Sequence, residues 1–244
     1  MSTVLITGAS RGIGRAAALL FGKNGWNVAV NYRANEAAAQ SLKEELEAMG
    51  VKCLPVQADV ADAVQVRRMI SMVEYTFGGI DVLVNNAGIA QQKLFTQLTE
   101  EDWDRMFDVH VKGTFHCTQA VLPLMIGAGK GSIVNVSSMW GQVGGACEVH
   151  YSAAKAAVIG MTKALAKELG LSGIRVNCVA PGVIDTEMNG MLDEDTMEAL
   201  KEQTPLGTIG TPEQAAKAIW FLACEDSSFI TGQVLSPNGG FVIV

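Results

Sequence analysis

The chain of 244 residues is 49% hydrophobic and 18% charged, which fits one compact domain able to bury a large core better than two independent ones. Its 18 Lys and Arg against 25 Asp and Glu leave a net charge of −7 with no basic block, which excludes nucleic acid as a first choice of partner. No apolar run approaches the ~18 residues that span a bilayer, and the five scattered cysteines show no C-x-x-C spacing, so the expectation is no membrane, no metal, no disulfide framework and a reducing cytoplasmic setting.

The opening Met1-Ser2-Thr3-Val4-Leu5-Ile6-Thr7-Gly8 has no basic segment ahead of its apolar residues and reads as a first strand, not a secretory leader. Further β-branched or leucine-rich runs at 28–30, 51–56, 82–84, 133–136 and 174–179 alternate with longer stretches of helical periodicity. The runs are apolar nearly throughout, as in parallel strands covered on both faces, and right-handed crossovers then give a doubly wound α/β sheet. Helix boundaries are written locally. Gly50 sits where a left-handed C-cap is wanted, Thr99 with Asp102 resembles a capping box, and Thr211-Pro212-Glu213-Gln214 supplies cap, N1 proline and N3 partner. The stretch Val183 to Gly210, acidic in its middle and rich in methionine, reads as an irregular insertion beyond a strand end. It is either a substrate lid or a surface helical hairpin.

Directly after the first strand, Thr7-Gly8-Ala9-Ser10-Arg11-Gly12-Ile13-Gly14 leads into a helix. Glycines let backbone approach a pyrophosphate, and a helix N-terminus offers it unpaired N–H groups, so dinucleotide binding is expected. The second strand ends in Asn31-Tyr32-Arg33, without the acid that would bind ribose hydroxyls and repel a 2′-phosphate. Arg33 and Arg11 favour NADP(H) over NAD(H), the lesser alternative being that Arg33 is a solvated surface cation.

Tyr151 and Lys155 lie four apart at the start of a helix and share one face, and Ser138 closes a predicted strand thirteen residues earlier. A phenol ordinarily titrates near pH 10, so acid/base work at neutral pH needs a nearby cation such as the lysine ammonium. Each residue alone has a packing or solvation reading; the combination points to chemistry.

These features, with Asn85-Asn86-Ala87-Gly88 and Pro181-Gly182-Val183-Ile184-Asp185-Thr186, make the chain resemble the short-chain dehydrogenase/reductase family over its whole length. The resemblance implies a single Rossmann-like domain of about seven parallel strands over residues 1–244, with a lid at 183–210. It also implies that Tyr151 exchanges a proton with the substrate oxygen, Ser138 polarises that oxygen, and Lys155 holds the nicotinamide ribose. The cofactor would further meet Gly8, Ser10, Arg11, Gly12, Ile13, Gly14, Arg33, Asp59, Val60, Asn86, Ala87, Gly88, Pro181, Gly182, Ile184 and Thr186. Length, the 31–33 strand end and the closing Thr231-Gly232-Gln233-Val234-Leu235 look most like the 3-oxoacyl-[acyl-carrier-protein] reductases.

That likeness implies NADPH-dependent reduction of a 3-oxoacyl thioester in fatty acid synthesis, an acyl-carrier-protein-bound or small-molecule substrate, and a homotetramer. The terminal Phe241-Val242-Ile243-Val244 would be buried against another subunit or within its own. Reduction of another ketone, such as a steroid or sugar, and a non-catalytic NADP-binding module are the alternatives. The chain departs from the family pattern at two places. His110 stands in Val109-His110-Val111-Lys112-Gly113 where a catalytic asparagine is usual, and Asn238 stands where aspartate is frequent. An imidazole can donate and accept through its two nitrogens, so His110 is a candidate proton carrier whose titration could add an acid limb to the activity.

Overall fold

The structure is a computed structural model describing residues 1–190 and 193–244. Among these residues, β1 (Thr3–Ile6), β2 (Asn27–Tyr32), β3 (Cys53–Gln57), β4 (Val82–Asn85), β5 (Gly131–Val136), β6 (Ile174–Val179) and β7 (Val234–Leu235) form one seven-stranded sheet in the order 3-2-1-4-5-6-7. Every pairing is parallel, with Leu5 opposite Ala29 on one side and Leu83 on the other. Helices α1 (Gly12–Lys23), α2 (Glu36–Ala48), α3 (Ala63–Phe77), α4 (Glu100–Phe107), α5 (Gly113–Ala128), α6 (Trp140–Val143), α7 (Val149–Leu169), α8 (Glu194–Gln203) and α9 (Pro212–Ala223) complete the chain order. No helix among the described residues is long and apolar enough to cross a membrane.

The continuous apolar runs serve two faces at once, because successive side chains on a strand point to opposite sides. Val4, Ile6, Val28, Val30 and Val84 pack with Ala17 and Phe21 of α1, Leu42 and Leu46 of α2, and Ile219 of α9. Leu5, Ala29, Leu83, Ile133 and Val176 turn the other way onto Met69 and Val73 of α3, Val121 and Met125 of α5, and Leu169 of α7. Phe21, fully buried, adds edge-on contacts to Trp26 and Trp220 at 5.3 and 4.9 Å, and burying such a side chain stabilises by about 1.5–3 kcal/mol. Pro55 is tolerated inside β3 because β3 lies at the sheet edge.

Both expected capping boxes form, at Thr99/Asp102 and Thr211/Gln214, and Gly50 takes φ +83° after α2. The third strand starts at Cys53, two residues later than its apolar run, since Val51 and Lys52 connect that left-handed turn to the edge. The stretch 183–210 is less irregular than its composition implied. Asp193 caps α8 by accepting from Thr196 N at 2.8 Å, so its acidic cluster is a helix N-terminus, where negative charge is favoured. Residues 191 and 192, within the expected lid, lie outside the described residues. A parallel bridge between Ile184 and Gly210 clamps the two ends of the excursion.

Candidate active site

The chain winds outward from β1 in both directions, so β1 and β4 are neighbours whose connections leave to opposite sides, and a crevice opens at their carboxyl ends. Thr7-Gly8 follows β1, Asn86 to Gly88 follow β4, Ser137-Ser138 follow β5, and Pro181-Gly182 lie beyond β6. The topology thus gathers four segments distant in sequence.

The glycine turn is lashed to both neighbouring strands. Asn86 N and Ala87 N donate to Thr7 Oγ1 at 2.9 and 3.0 Å, and Asn86 Nδ2 donates to the carbonyls of Thr7 and Gly8. Asn31, named in sequence only as a missing acid, is a buried brace: its Oδ1 accepts from Gly8 N at 3.2 Å, and its Nδ2 donates to Ala58 O at 3.0 Å. Gly8 takes φ +62°, and a Cβ there would sit 2.9 Å from Ala87 Cα. Arg11, extended at the N-cap of α1, offers no side-chain cap, so the first N–H groups of the helix face the cleft.

That cleft, of about 390 Å³, is lined by Gly8, Ser10, Arg11, Gly12, Ile13, Arg33, Asp59, Val60, Asn86, Ala87, Gly88 and Thr186 of the expected cofactor set. Its shape fits a dinucleotide: a main-chain cradle that side chains would fill, opening onto a helix N-terminus. Gly14 lines neither this cleft nor the chamber beside it. It packs beneath the turn, where a Cβ would meet Asn86 Nδ2 at 2.6 Å. The end of β2 carries no acid, yet Asp59 brings a carboxylate within 3.9 Å of both Arg33 Nη1 and Arg105 Nη2. Arg33 therefore shares its charge with Asp59, which sequence position did not reveal.

A second chamber of about 250 Å³ continues the groove, sharing Ile13, Asn86, Gly88, Thr186 and Met188 with the first. It brings together Ser138, Tyr151, Lys155 and His110 with Pro181, Gly182 and Ile184. Lys155 Nζ lies 5.6 Å from the centroid of the Tyr151 ring and donates to Val136 O at 2.8 Å. Ser137 Oγ donates to Lys155 O at 2.8 Å, which fixes this part of α7 on β5. Gly141 permits the approach, since a Cβ there would meet Ser137 Oγ at 2.7 Å.

The electrostatics depart from expectation. Burial pushes the Tyr151 phenol up to about 12, with the Glu148 charge adding to the rise and the hydrogen bond to Ser138 opposing it. Burial also brings the Lys155 ammonium down to about 8. Desolvation, not the charge of Lys155, dominates the phenol here.

His110 sits in a π-helical turn, Asp108–Lys112, between α4 and α5. Its Nε2 lies 2.8 Å from Ile89 O and 3.2 Å from Ile89 N; with Nε2–H donating to the nearer carbonyl, Nδ1 keeps a lone pair, which is buried and without a partner among the described residues. Its ring meets that of Tyr151 edge-on at 5.4 Å. Burial first, then the Lys155 charge, drives its pKa well below 6.5, which favours the neutral ring and moves any acid limb from its titration to lower pH. The fit is close, for a Cβ on Gly88 would stand 2.6 Å from His110 Cε1.

Several chamber residues carried no signal in sequence: Ala90, Gln92, Trp140, Glu148, Thr196 and Leu200 arrive from separate segments. Asn238 is tied by Nδ2 to Val242 O at 2.7 Å and packs against Gly182, so its turn braces the chamber floor.

A family model described as "Enoyl-(Acyl carrier protein) reductase" matches residues 8–242. The chain is 44% identical to the 3-oxoacyl-[acyl-carrier-protein] reductase FabG of Staphylococcus aureus over 238 residues, covering 98% of this chain and 97% of that protein. It is 46% identical to the FabG of Thermotoga maritima over 239 residues, covering 98% and 97%. The 3-oxoacyl-[acyl-carrier-protein] reductase of Synechocystis is 43% identical over 240 residues, covering 98% and 96%. With its parallel doubly wound sheet, glycine turn, and serine, tyrosine and lysine in one chamber, the chain belongs to the short-chain dehydrogenase/reductase family of oxidoreductases.

Proposed function

We propose that the protein is an NADPH-dependent carbonyl reductase whose first substrate class is a 3-oxoacyl thioester, reduced to the 3-hydroxyacyl thioester. One observation carries this reading: Ser138, Tyr151 and Lys155 face a chamber continuous with a glycine-lined groove that fits a dinucleotide. Bound NADPH would supply the hydride to the carbonyl carbon. Ser138 Oγ, which already accepts from Trp140 N at 3.2 Å, keeps its own proton to donate to the substrate oxygen. Tyr151, held protonated by a pKa of about 12, is loaded as the acid that delivers a proton to that oxygen. Lys155, charged below about pH 8, would hold the ribose and offset charge on the phenolate left behind. Neutral His110 would present Nδ1 as an acceptor for a water in a proton chain.

Gly8, Ser10, Arg11, Gly12 and Ile13 would cradle the pyrophosphate, Gly14 would pack the turn, and Arg11 with Arg33 would meet the 2′-phosphate. Asp59 and Val60 would flank the adenine. Asn86, Ala87 and Gly88 would line the middle of the groove, and Pro181, Gly182, Ile184 and Thr186 its nicotinamide end. The segment 183–210 acts as the lid, a role supported by Met188, Thr196 and Leu200 in the chamber wall. A homotetramer is supported by Ile243 and Val244, 88% and 84% exposed in the single chain, and light scattering tests it. The deciding experiment follows NADPH consumption by purified protein with a short 3-oxoacyl thioester against a ketone panel. Turnover of the thioester, lost in Tyr151→Phe, is expected; reduction at the parent rate by that variant would refute the assignment of Tyr151.

A further inference from the structure

Trp140 opens α6 two residues beyond Ser138, and its main-chain N–H donates to Ser138 Oγ at 3.2 Å. The indole thus springs from the turn that orients the serine, and it lines the chamber. This turn and its helix are pinned: Met139 N donates to Pro181 O at 2.9 Å, and Ser236 Oγ donates to Gln142 Oε1 at 3.0 Å. The ring is pinned as well. A Cβ on Gly145 would stand 3.0 Å from Cδ2 and 3.2 Å from Cε2 of the indole, so the ring lies against that main chain, and the Phe241 ring meets it edge-on at 5.8 Å.

Phe241 is not among the residues lining the chamber; it backs the indole from outside. Its own position is set by a closed turn, in which Phe241 N donates to Asn238 O at 3.1 Å and Asn238 Nδ2 donates to Val242 O at 2.7 Å. That turn is packed on the end of the excursion after β6, since a Cβ on Gly240 would meet Pro205 Cγ at 3.0 Å and Leu206 N donates to Gly239 O at 3.1 Å. A smaller side chain at position 140 would open the chamber toward the Phe241 ring.

The chamber, about 250 Å³, is smaller than the ~300–1,000 Å³ of pockets that take drug-sized ligands, and under the reductase reading the reacting end of the nicotinamide shares it. Ala90, Met188 and Leu200 join Trp140 in giving an acyl chain apolar surface. A fixed ring in so small a space discriminates by length. Methylenes that fit gain burial, whereas those that reach the indole must bend into water or displace packed side chains. We propose that the chamber selects short 3-oxoacyl chains and that Trp140, held in place by Phe241, sets the limit. This rests on the reductase reading above and narrows the substrate class of the same site.

The test uses 3-oxoacyl pantetheine thioesters with acyl chains of four, six, eight and ten carbons, so that chain length is the sole variable. Turnover with NADPH, and calorimetric binding to protein loaded with NADP⁺, which cannot reduce the ketone, are measured for the parent, Trp140→Val and Phe241→Ala. The parent is expected to prefer the four-carbon over the ten-carbon chain by at least tenfold in kcat/KM. Trp140→Val is expected to cut that ratio at least fivefold by raising kcat/KM for the ten-carbon chain. Phe241→Ala, a change outside the chamber, is expected to cut it at least threefold in the same way and decides the matter if Trp140→Val does not fold. Turnover without a preference for short chains, a preference that survives the substitutions, or a ratio lowered by loss of the short substrate alone overturns the proposal and leaves the reductase standing. Binding that favours short chains and relaxes in Trp140→Val, without turnover, upholds the limit and overturns the reductase. Neither turnover nor binding at any length refutes both.

Discussion

The two halves of the groove are built on different principles. The glycine turn is main chain held by main chain and by three side chains, Thr7, Asn31 and Asn86, all within reach of β1 and its two neighbours. The chamber is made of side chains delivered from β5, α6, α7, the π turn and the excursion after β6. The first is a rigid seat for a ligand part common to many enzymes; the second is a mosaic in which one substitution alters chemistry or selectivity without touching the scaffold. Perturbing each half should therefore fail differently.

The largest contrast should come from Tyr151→Phe, with kcat lower by roughly 10²–10⁴-fold and NADPH affinity, measured by fluorescence titration, within about twofold. A comparable fall in affinity would merge the two halves. Gly8→Ala should do the reverse. Its Cβ meets Ala87 Cα at 2.9 Å in a left-handed backbone, a conflict worth about 1–3 kcal/mol. Tm should drop by several degrees and NADPH binding should weaken; an unchanged Tm would show that the turn yields.

Arg33→Ala should weaken NADPH by about threefold to tenfold and leave NADH unaffected. Its side chain is 56% exposed and partly balanced by Asp59, so a charge-assisted contact there is screened. Equal effects on both cofactors would remove the 2′-phosphate from its account. The smallest effect is His110→Asn, less than about tenfold in kcat. Because burial and the Lys155 charge lower the imidazole pKa well below its ordinary value, the kcat profiles of parent and variant should superimpose from pH 6 to 7. An acid limb present in the parent alone would mean the ring titrates there after all.

What sequence reveals divides along the same line. Strands 28–30, 82–84 and 174–179 are readable because both faces of each are buried, which leaves a continuous apolar run. The glycine turn and the Tyr151/Lys155 pair are readable because their spacing is local. Asn31 was visible as a departure from an acidic strand end, but its bracing of Gly8 depends on β3 lying alongside, which no local pattern encodes. Asp193 resembled a loop acid because its only task is to cap α8. Glu148 and Trp140 line one chamber that exists only after α6 and α7 have packed. The upward shift of Tyr151 was equally hidden, since desolvation is a property of the assembled chamber.

The bridge between Ile184 and Gly210 has a consequence for how this enzyme can diversify. Asp185 N donates to Gly210 O at 2.8 Å and Gly210 N donates to Val183 O at 3.0 Å, so the two ends of the excursion are closed by the scaffold. Loop-closure entropy grows only logarithmically, by about 0.6 kcal/mol for each doubling of length. Once the ends are pinned, residues between them can be lengthened, shortened or exchanged at small cost to the sheet. Insertions near α8 are thus the inexpensive route to a new substrate range, whereas insertions between β1 and α1 would have to re-form the turn itself.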